Sequence, residues 1–194
     1  MVQAQYQLDL PQHTVDSAPE GVQGTLQGLQ DQMGLLPNIF GYLANAPALL
    51  HGYLDLDRRF REETRLSAVE QEVVLLTISR ENGCGYCMAV HSHAADRIAG
   101  VPSPVTDALR AREPLPDSRL DALSRFTQRL FATRGLPERS EVEAFHRAGY
   151  DDLSILEIIL ALGLKSLSNY TNHLCHTELD APFRGRAWRD PGAR

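Results

Sequence analysis

The chain has 194 residues, 43% hydrophobic and 23% charged, a composition that folds and buries a core without staples. Its formal net charge of −6 at pH 7 argues against a general nucleic-acid binder or a binder of anionic membranes. The N-terminus lacks the basic and apolar regions of a signal peptide, and no run approaches the roughly 18 continuous apolar residues of a membrane span, so a cytoplasmic protein is expected.

Residues 1–19 are polar and aperiodic and include Pro11 and Pro19, which predicts an arm crossing the surface. Glu20 to Met33 is weakly helical, with Gly34 as its stop. Pro37-Asn38 opens a short helix over Ile39 to Leu43, and Pro47 suits the first turn of the next, which runs to about Glu62. Near its end, Arg58-Arg59-Phe60-Arg61-Glu62-Glu63 reads as a solvated face. Ser67-Ala68-Val69-Glu70 has the capping-box form and opens a helix to about Arg80, broken by Asn82-Gly83. A further helix is predicted from Cys84 to Ala99, with Gly100 as its stop, and Pro102 and Pro104 open a short one. Asp117 to about Thr133 is amphipathic, and Glu138 to Arg147 follows. After Asp151-Asp152 the last long helix reaches about Leu174; its most apolar stretch, Ile155 to Leu164, is too short to span a membrane.

Alternating strand patterns are absent, so the expected fold is all-α, a single-domain bundle of about eight helices. The domain covers residues 20–180, between the arm at 1–19 and a C-terminal tail at 181–194. The tail is irregular by composition, and its Phe183 and Trp188 suit docking on the body or on another subunit.

Cys84 and Cys87 are three apart, and Cys175 makes an odd third. That fits a secreted disulfide framework poorly and a redox or metal pair well. At about 100° per residue, Cys87, Met88 and His91 lie within about 60° of Cys84, on a stripe continued by Ala94, Ala95 and Ile98. Tyr86 and His93 point the other way, and His93 reads as a surface residue. On the preceding helix Glu70 is occupied by the capping box, whereas Glu72 falls between Leu75 and Leu76, a carboxylate that needs a partner if buried. A hairpin at Gly83 would bring Glu72 and His91 together, since they stand roughly 16 Å and 12 Å from the turn.

Thiolate, not thiol, is the nucleophile. Cys84 at a helix N-terminus feels the favourable end of the dipole. Cys87 lies one turn from His91, which can take its proton directly or through water, with Glu72 orienting the imidazole. The second thiol resolves an oxidised sulfur to a disulfide. The catalytic candidates are therefore Cys87, Cys84, His91 and Glu72, with no cofactor. Two other uses stay open: a zinc site in which His173, Cys175 or His176 joins Cys84, Cys87 and His91, or structural thiols in a non-catalytic oligomeric module. Cys175 itself reads as a buried small apolar residue, and Asn169, Asn172 and His173 as helix-capping or cross-linking groups.

Glu72, Cys84-Gly85-Tyr86-Cys87 and His91 together resemble the signature of the alkyl hydroperoxidase D-like, or carboxymuconolactone decarboxylase-like, family. Leu66 to Ala95 is similar to its core as a block. Leu36-Pro37-Asn38-Ile39-Phe40 and Asn169-Tyr170-Thr171-Asn172-His173 resemble flanking motifs of the peroxidase-related members. The resemblance implies an all-α fold, homo-oligomers that are often trimers or hexamers, and reduction of a hydroperoxide substrate by the cysteine pair. A dithiol or thioredoxin-like reductant would regenerate that pair, with Cys87 attacking and Cys84 resolving. Peroxidase members carry a histidine where this chain has Tyr86. The decarboxylase branch, the lyase alternative, generally lacks the paired cysteines, which argues against lactone decarboxylation here.

Overall fold

A computed structural model describes residues 4–192; the first three residues of the predicted arm and the last two of the predicted tail lie outside the described residues. The described chain is all-helical. It runs α1 (Glu20–Met33), α2 (Asn38–Leu43), α3 (Pro47–Glu63), α4 (Ala68–Glu81), α5 (Gly85–Ala94), α6 (Ser103–Ala111), α7 (Ser118–Thr133), α8 (Arg139–Arg147) and α9 (Asp152–Cys175). A π-helical turn, Ala95–Ala99, continues α5, and a 3-10 helix, Ala181–Arg186, follows α9.

The helix starts follow local chemistry. Ser67 and Glu70 close a full capping box on α4, and the Asp117 and Asp151 carboxylates accept from the first-turn N–H groups of α7 and α9. Each such cap contributes about 1 kcal/mol. α4 is the hub: every residue from Glu70 to Arg80 is buried, with α5, α6, α7 and α9 packed around it. A Thr77–Ser124 hydroxyl bond of 2.8 Å ties α4 to α7. Gln71 reaches back from α4, and its Nε2 donates to the carbonyls of Phe60 (3.2 Å) and Leu66 (3.1 Å). The Phe60 carbonyl also accepts from Thr64 Oγ1 at 2.7 Å, so the hydroxyl and the amide together satisfy the C-terminal end of α3 and fix it against α4.

Two apolar clusters result. The larger joins α4, α7, α8 and α9 and contains the stack Phe126–Phe145–Tyr150, with ring centroids 4.2 Å and 4.7 Å apart. The smaller joins α1, α2 and α3 to the start of α5 and includes Cys84, Tyr86 and Cys87. The arm runs over the surface as expected, its Leu8 N–H bonded to the Leu174 carbonyl and its His13 N–H to that of Gly41. A Cβ at position 41 would collide with the His13 carbonyl, so glycine is what lets the arm lie this close.

Several expectations change. The predicted single helix from Cys84 to Ala99 opens into the π-helical turn, and the wider turn carries Ile98 off the stripe to 81% exposure. Tyr86 does not face solvent: α5 is buried on nearly every side, and the Tyr86 hydroxyl donates to Asp180 at 2.6 Å. His93 is half-buried, edge-on to Phe183. The described part of the tail docks on its own body, with Phe183 and Trp188 buried and the indole N–H donating to the Arg110 carbonyl. α9, at 24 residues, is long and apolar enough in composition to cross a bilayer. Its buried Lys165, Asn169 and Asn172 and its packing on α2, α3 and α4 are those of a core helix.

Candidate active site

Gly83, at φ 68°, makes the left-handed turn that lets α5 fold back along α4. Cys84 is the N-cap of α5, and its N–H donates to the Ser79 carbonyl. The hairpin brings Glu72 and His91 together as the residue count predicted: Glu72 Oε2 accepts from His91 Nδ1 at 3.0 Å. Glu72 is 2% exposed, and its other oxygen meets Arg61 Nη1 at 2.7 Å. Burial pushes its carboxyl up, but the His91 imidazole and the Arg61 guanidinium outweigh burial and hold it below the usual carboxylate range.

Arg61 corrects the reading of residues 58–63 as a solvated face. Arg58 and Arg59 do lie there, paired with Asp55, Glu62 and Glu63, but Phe60 is fully buried and Arg61 turns inward. Glu70, assigned only to the capping box, is buried too, and also accepts from Tyr150 Oη at 2.9 Å and pairs with Arg119.

The residue that the sequence reading missed is Lys165, in the middle of α9 and 1% exposed. Its Nζ lies 2.9 Å from His91 Nε2. The imidazole is thus held at both nitrogens, by the Glu72 carboxylate on one side and the ammonium on the other. One signal was present: of the 19 lysine and arginine residues Lys165 is the only lysine, and it stands inside the most apolar helix.

Cys84 and Cys87 are both buried and unpaired. Asn172 Nδ2 donates to Cys87 Sγ at 3.3 Å, and Ser168 Oγ lies 4.0 Å away. Burial alone would push the Cys87 thiol up. The hydrogen bond from Cys84, the Lys165 charge and the His91 imidazole reverse that and bring it well below the ordinary cysteine range. Cys84 is pushed well above that range, first by the bond it gives Cys87 and then by burial. The environment therefore favours Cys87 as thiolate, against the helix-dipole argument for Cys84: the dipole is weaker than a buried cation beside the sulfur.

The two thiols and His91 do not form a metal cage. His91 has no free nitrogen, His176 Nε2 is bonded to the Ala4 carbonyl, and no group of three His, Cys, Asp or Glu among the described residues is placed to hold an ion. Asn169 cross-links instead, accepting from Asn82 Nδ2 at 2.9 Å, and Cys175 is buried as expected. Cys87, His91 and Lys165 line a cavity of about 580 Å³ whose walls come from α1, α2, α3, α5, α9 and the 3-10 helix, with Ile39, Phe40, Val90 and Phe183 among its apolar surfaces.

Residues 47–129 match the model of the carboxymuconolactone decarboxylase family. No curated protein matches the chain. Among solved structures, an uncharacterized peroxidase-related protein from Ralstonia eutropha JMP134, described as an alkylhydroperoxidase AhpD core, superposes with a TM-score of 0.79 at 21% identity, covering 93% of this chain and 97% of that one. An uncharacterized peroxidase-related protein from Silicibacter sp. TM1040 gives 0.78 at 22% identity, covering 96% and 98%. A variant of the debrominase Bmp8 in complex with 2,3,4-tribromopyrrole gives 0.75 at 17% identity, covering 95% and 97%. These likenesses establish the alkylhydroperoxidase-type fold.

Proposed function

We propose that this chain is an alkylhydroperoxidase D-like member of the carboxymuconolactone decarboxylase family and a thiol-dependent hydroperoxidase and disulfide oxidoreductase. One observation carries the reading: Cys87 lies buried at the cavity wall with a second free thiol, Cys84, three residues earlier, and the Glu72–His91–Lys165 line ends beside it. Cys87 attacks the distal oxygen of an organic hydroperoxide and becomes a sulfenic acid. Cys84 then attacks the sulfenic sulfur, water leaves, and the Cys84–Cys87 disulfide forms. A dithiol or thioredoxin-like partner reduces it, which suits a reducing compartment such as the cytoplasm. Glu72 and Arg61 orient and charge-balance His91 behind the thiols.

The cavity supports a bulky apolar hydroperoxide over hydrogen peroxide, since its aromatic and aliphatic walls offer burial rather than solvation. The debrominase neighbour supports a second reading, thiol attack on a halogenated ring held between Phe40 and Phe183. Mass spectrometry of reduced protein after one equivalent of cumene hydroperoxide decides between them. A Cys84–Cys87 disulfide formed within seconds, and lost in Cys87→Ser, supports the first. No disulfide, with bromide released from a brominated pyrrole, replaces it with the second.

Self-assembly belongs to the same proposal. α9 exposes Leu153, Leu156, Ile159, Tyr170 and Leu174 on its outer side, an apolar stripe suited to the same helix of another copy.

A further inference from the structure

We propose that Lys165, rather than His91, is the group that holds and moves the proton at Cys87; the assignment rests on the peroxidase reading for its second half only. His91 Nδ1 faces the Glu72 carboxylate, an acceptor, so Nδ1 carries hydrogen. The Nε2 lone pair then receives the Lys165 ammonium. With both nitrogens engaged, the imidazole has none left for the thiol. Lys165 has further protons to give, it lines the same cavity as Cys87, and its charge acts on that sulfur.

Charge balance supports the same assignment. The titratable groups that share the cavity wall with Lys165 are Tyr53, Asp57 and Arg61 on α3 and Tyr86, Cys87, His91 and His93 on α5; Glu72 on α4 stands behind His91, and the charge of Cys87 also reaches His173 on α9. Of the buried charges, Glu72 is matched by Arg61, which leaves the Lys165 ammonium to be matched by the Cys87 thiolate. A buried cation without that partner is costly.

The cycle keeps the balance. Cys87 thiolate attacks the hydroperoxide, the O–O bond breaks, and the sulfur is oxidised to sulfenic acid while the leaving alkoxide takes a proton from Lys165 to become the alcohol. Cys84 thiol attacks the sulfenic sulfur, its proton leaves with the hydroxyl as water, and the disulfide forms. The thiolate and the ammonium charge thus disappear together. When a dithiol reduces the disulfide, it supplies two electrons and two protons: one returns to Cys84, the other to Lys165, and Cys87 is again a thiolate. Arginine cannot surrender a proton near neutral pH, whereas a buried lysine can. This gives a chemical reason for the only lysine among 19 basic residues to stand here.

The single lysine makes the test direct. In full-length protein labelled with 15N-lysine, one Nζ resonance is expected, in the ammonium range when reduced and the amine range as the disulfide. A resonance that stays ammonium in both states overturns the proposal. Peptide-resolved iodoacetamide labelling across pH reads Cys87 independently of any peroxide. Lys165→Met should raise its inflection by at least one pH unit, a tenfold weaker acid dissociation of the thiol. Lys165→Arg should keep the low inflection yet oxidise about 100-fold more slowly with cumene hydroperoxide, the loss expected of a missing general acid. Should Lys165→Met not fold, Lys165→Gln is read in its place. An unchanged inflection in the neutral variant, or wild-type oxidation by Lys165→Arg, overturns the assignment. Wild-type protein that consumes no hydroperoxide but shows the Lys165-dependent inflection overturns the peroxidase reading and leaves the thiolate partnership standing.

Discussion

Lys165 Nζ and His91 Nε2 share a hydrogen bond 2.9 Å long, although 74 residues separate them in the chain. That bond turns a helical cysteine pair with a nearby histidine into a closed line of groups: Arg61, Glu72, His91, Lys165 and Cys87. Direct contacts join the first four, and Cys87 presents its sulfur at the cavity wall that Lys165 also lines.

The two thiols should behave differently. Because the Cys87 pKa lies well below the ordinary cysteine value of about 8.5 and that of Cys84 well above it, alkylation at pH 7 should modify Cys87 first. Cys84→Ser should still be oxidised by a hydroperoxide but stop at the sulfenic acid, trapped by dimedone; Cys87→Ser should consume none. Preferential alkylation of Cys84 would reverse the assigned roles.

Glu72→Gln should cost about 3 kcal/mol in urea unfolding at pH 7, because it leaves the inward-turned Arg61 and the oriented His91 without their shared carboxylate. The folded pKa of Glu72 is depressed, so its contribution is full above the unfolded value of about 4.3 and is lost as pH falls through the folded value. The gap between wild type and variant should therefore close in acid. A gap that is constant from pH 7 to pH 3 would contradict an ionised Glu72.

Tyr86→Phe should loosen the tail. The hydroxyl donates to Asp180 at 2.6 Å, and Asp180 also accepts from the Asn38 N–H at 3.0 Å, so one carboxylate joins α5, α2 and the start of the 3-10 helix. Burial first, and then this bond, push the phenol well above its usual range, which keeps it a donor at all physiological pH. Removing it should cost about 1–2 kcal/mol and raise hydrogen exchange over residues 181–188. Equal exchange in both proteins would show that Phe183 and Trp188 alone hold the tail.

Charge on the outer face of α9 should dissociate the assembly. Leu156, at 61% exposure, and Tyr170, at 54%, stand outside the core, Tyr170 stacking only on His173 of its own helix, so Leu156→Glu with Tyr170→Glu should leave the fold intact. Light scattering should show a larger particle for wild type and a monomer for the double variant. A wild-type monomer would remove the proposed interface.

Sequence alone determined the helices and half of the site. Caps and breakers are local: Ser67 with Glu70, Asp117, Asp151, Gly34 and Gly100 marked ends that the fold keeps within a residue or two. Cys84, Cys87 and His91 share one helix, so their common side followed from the turn of that helix, and Glu72 stood out because a carboxylate among leucines needs a partner. Tertiary structure decided the rest. Nothing near Arg61 in the sequence separates it from Arg58 and Arg59, which stay in solvent; Gln71 anchoring the end of α3 is what turns Arg61 toward Glu72. A lone lysine in an apolar helix reads locally as a solvated residue. It becomes a buried functional group only when α9 packs against α4 and α5, because a charge leaves water only where countercharges from distant segments meet it.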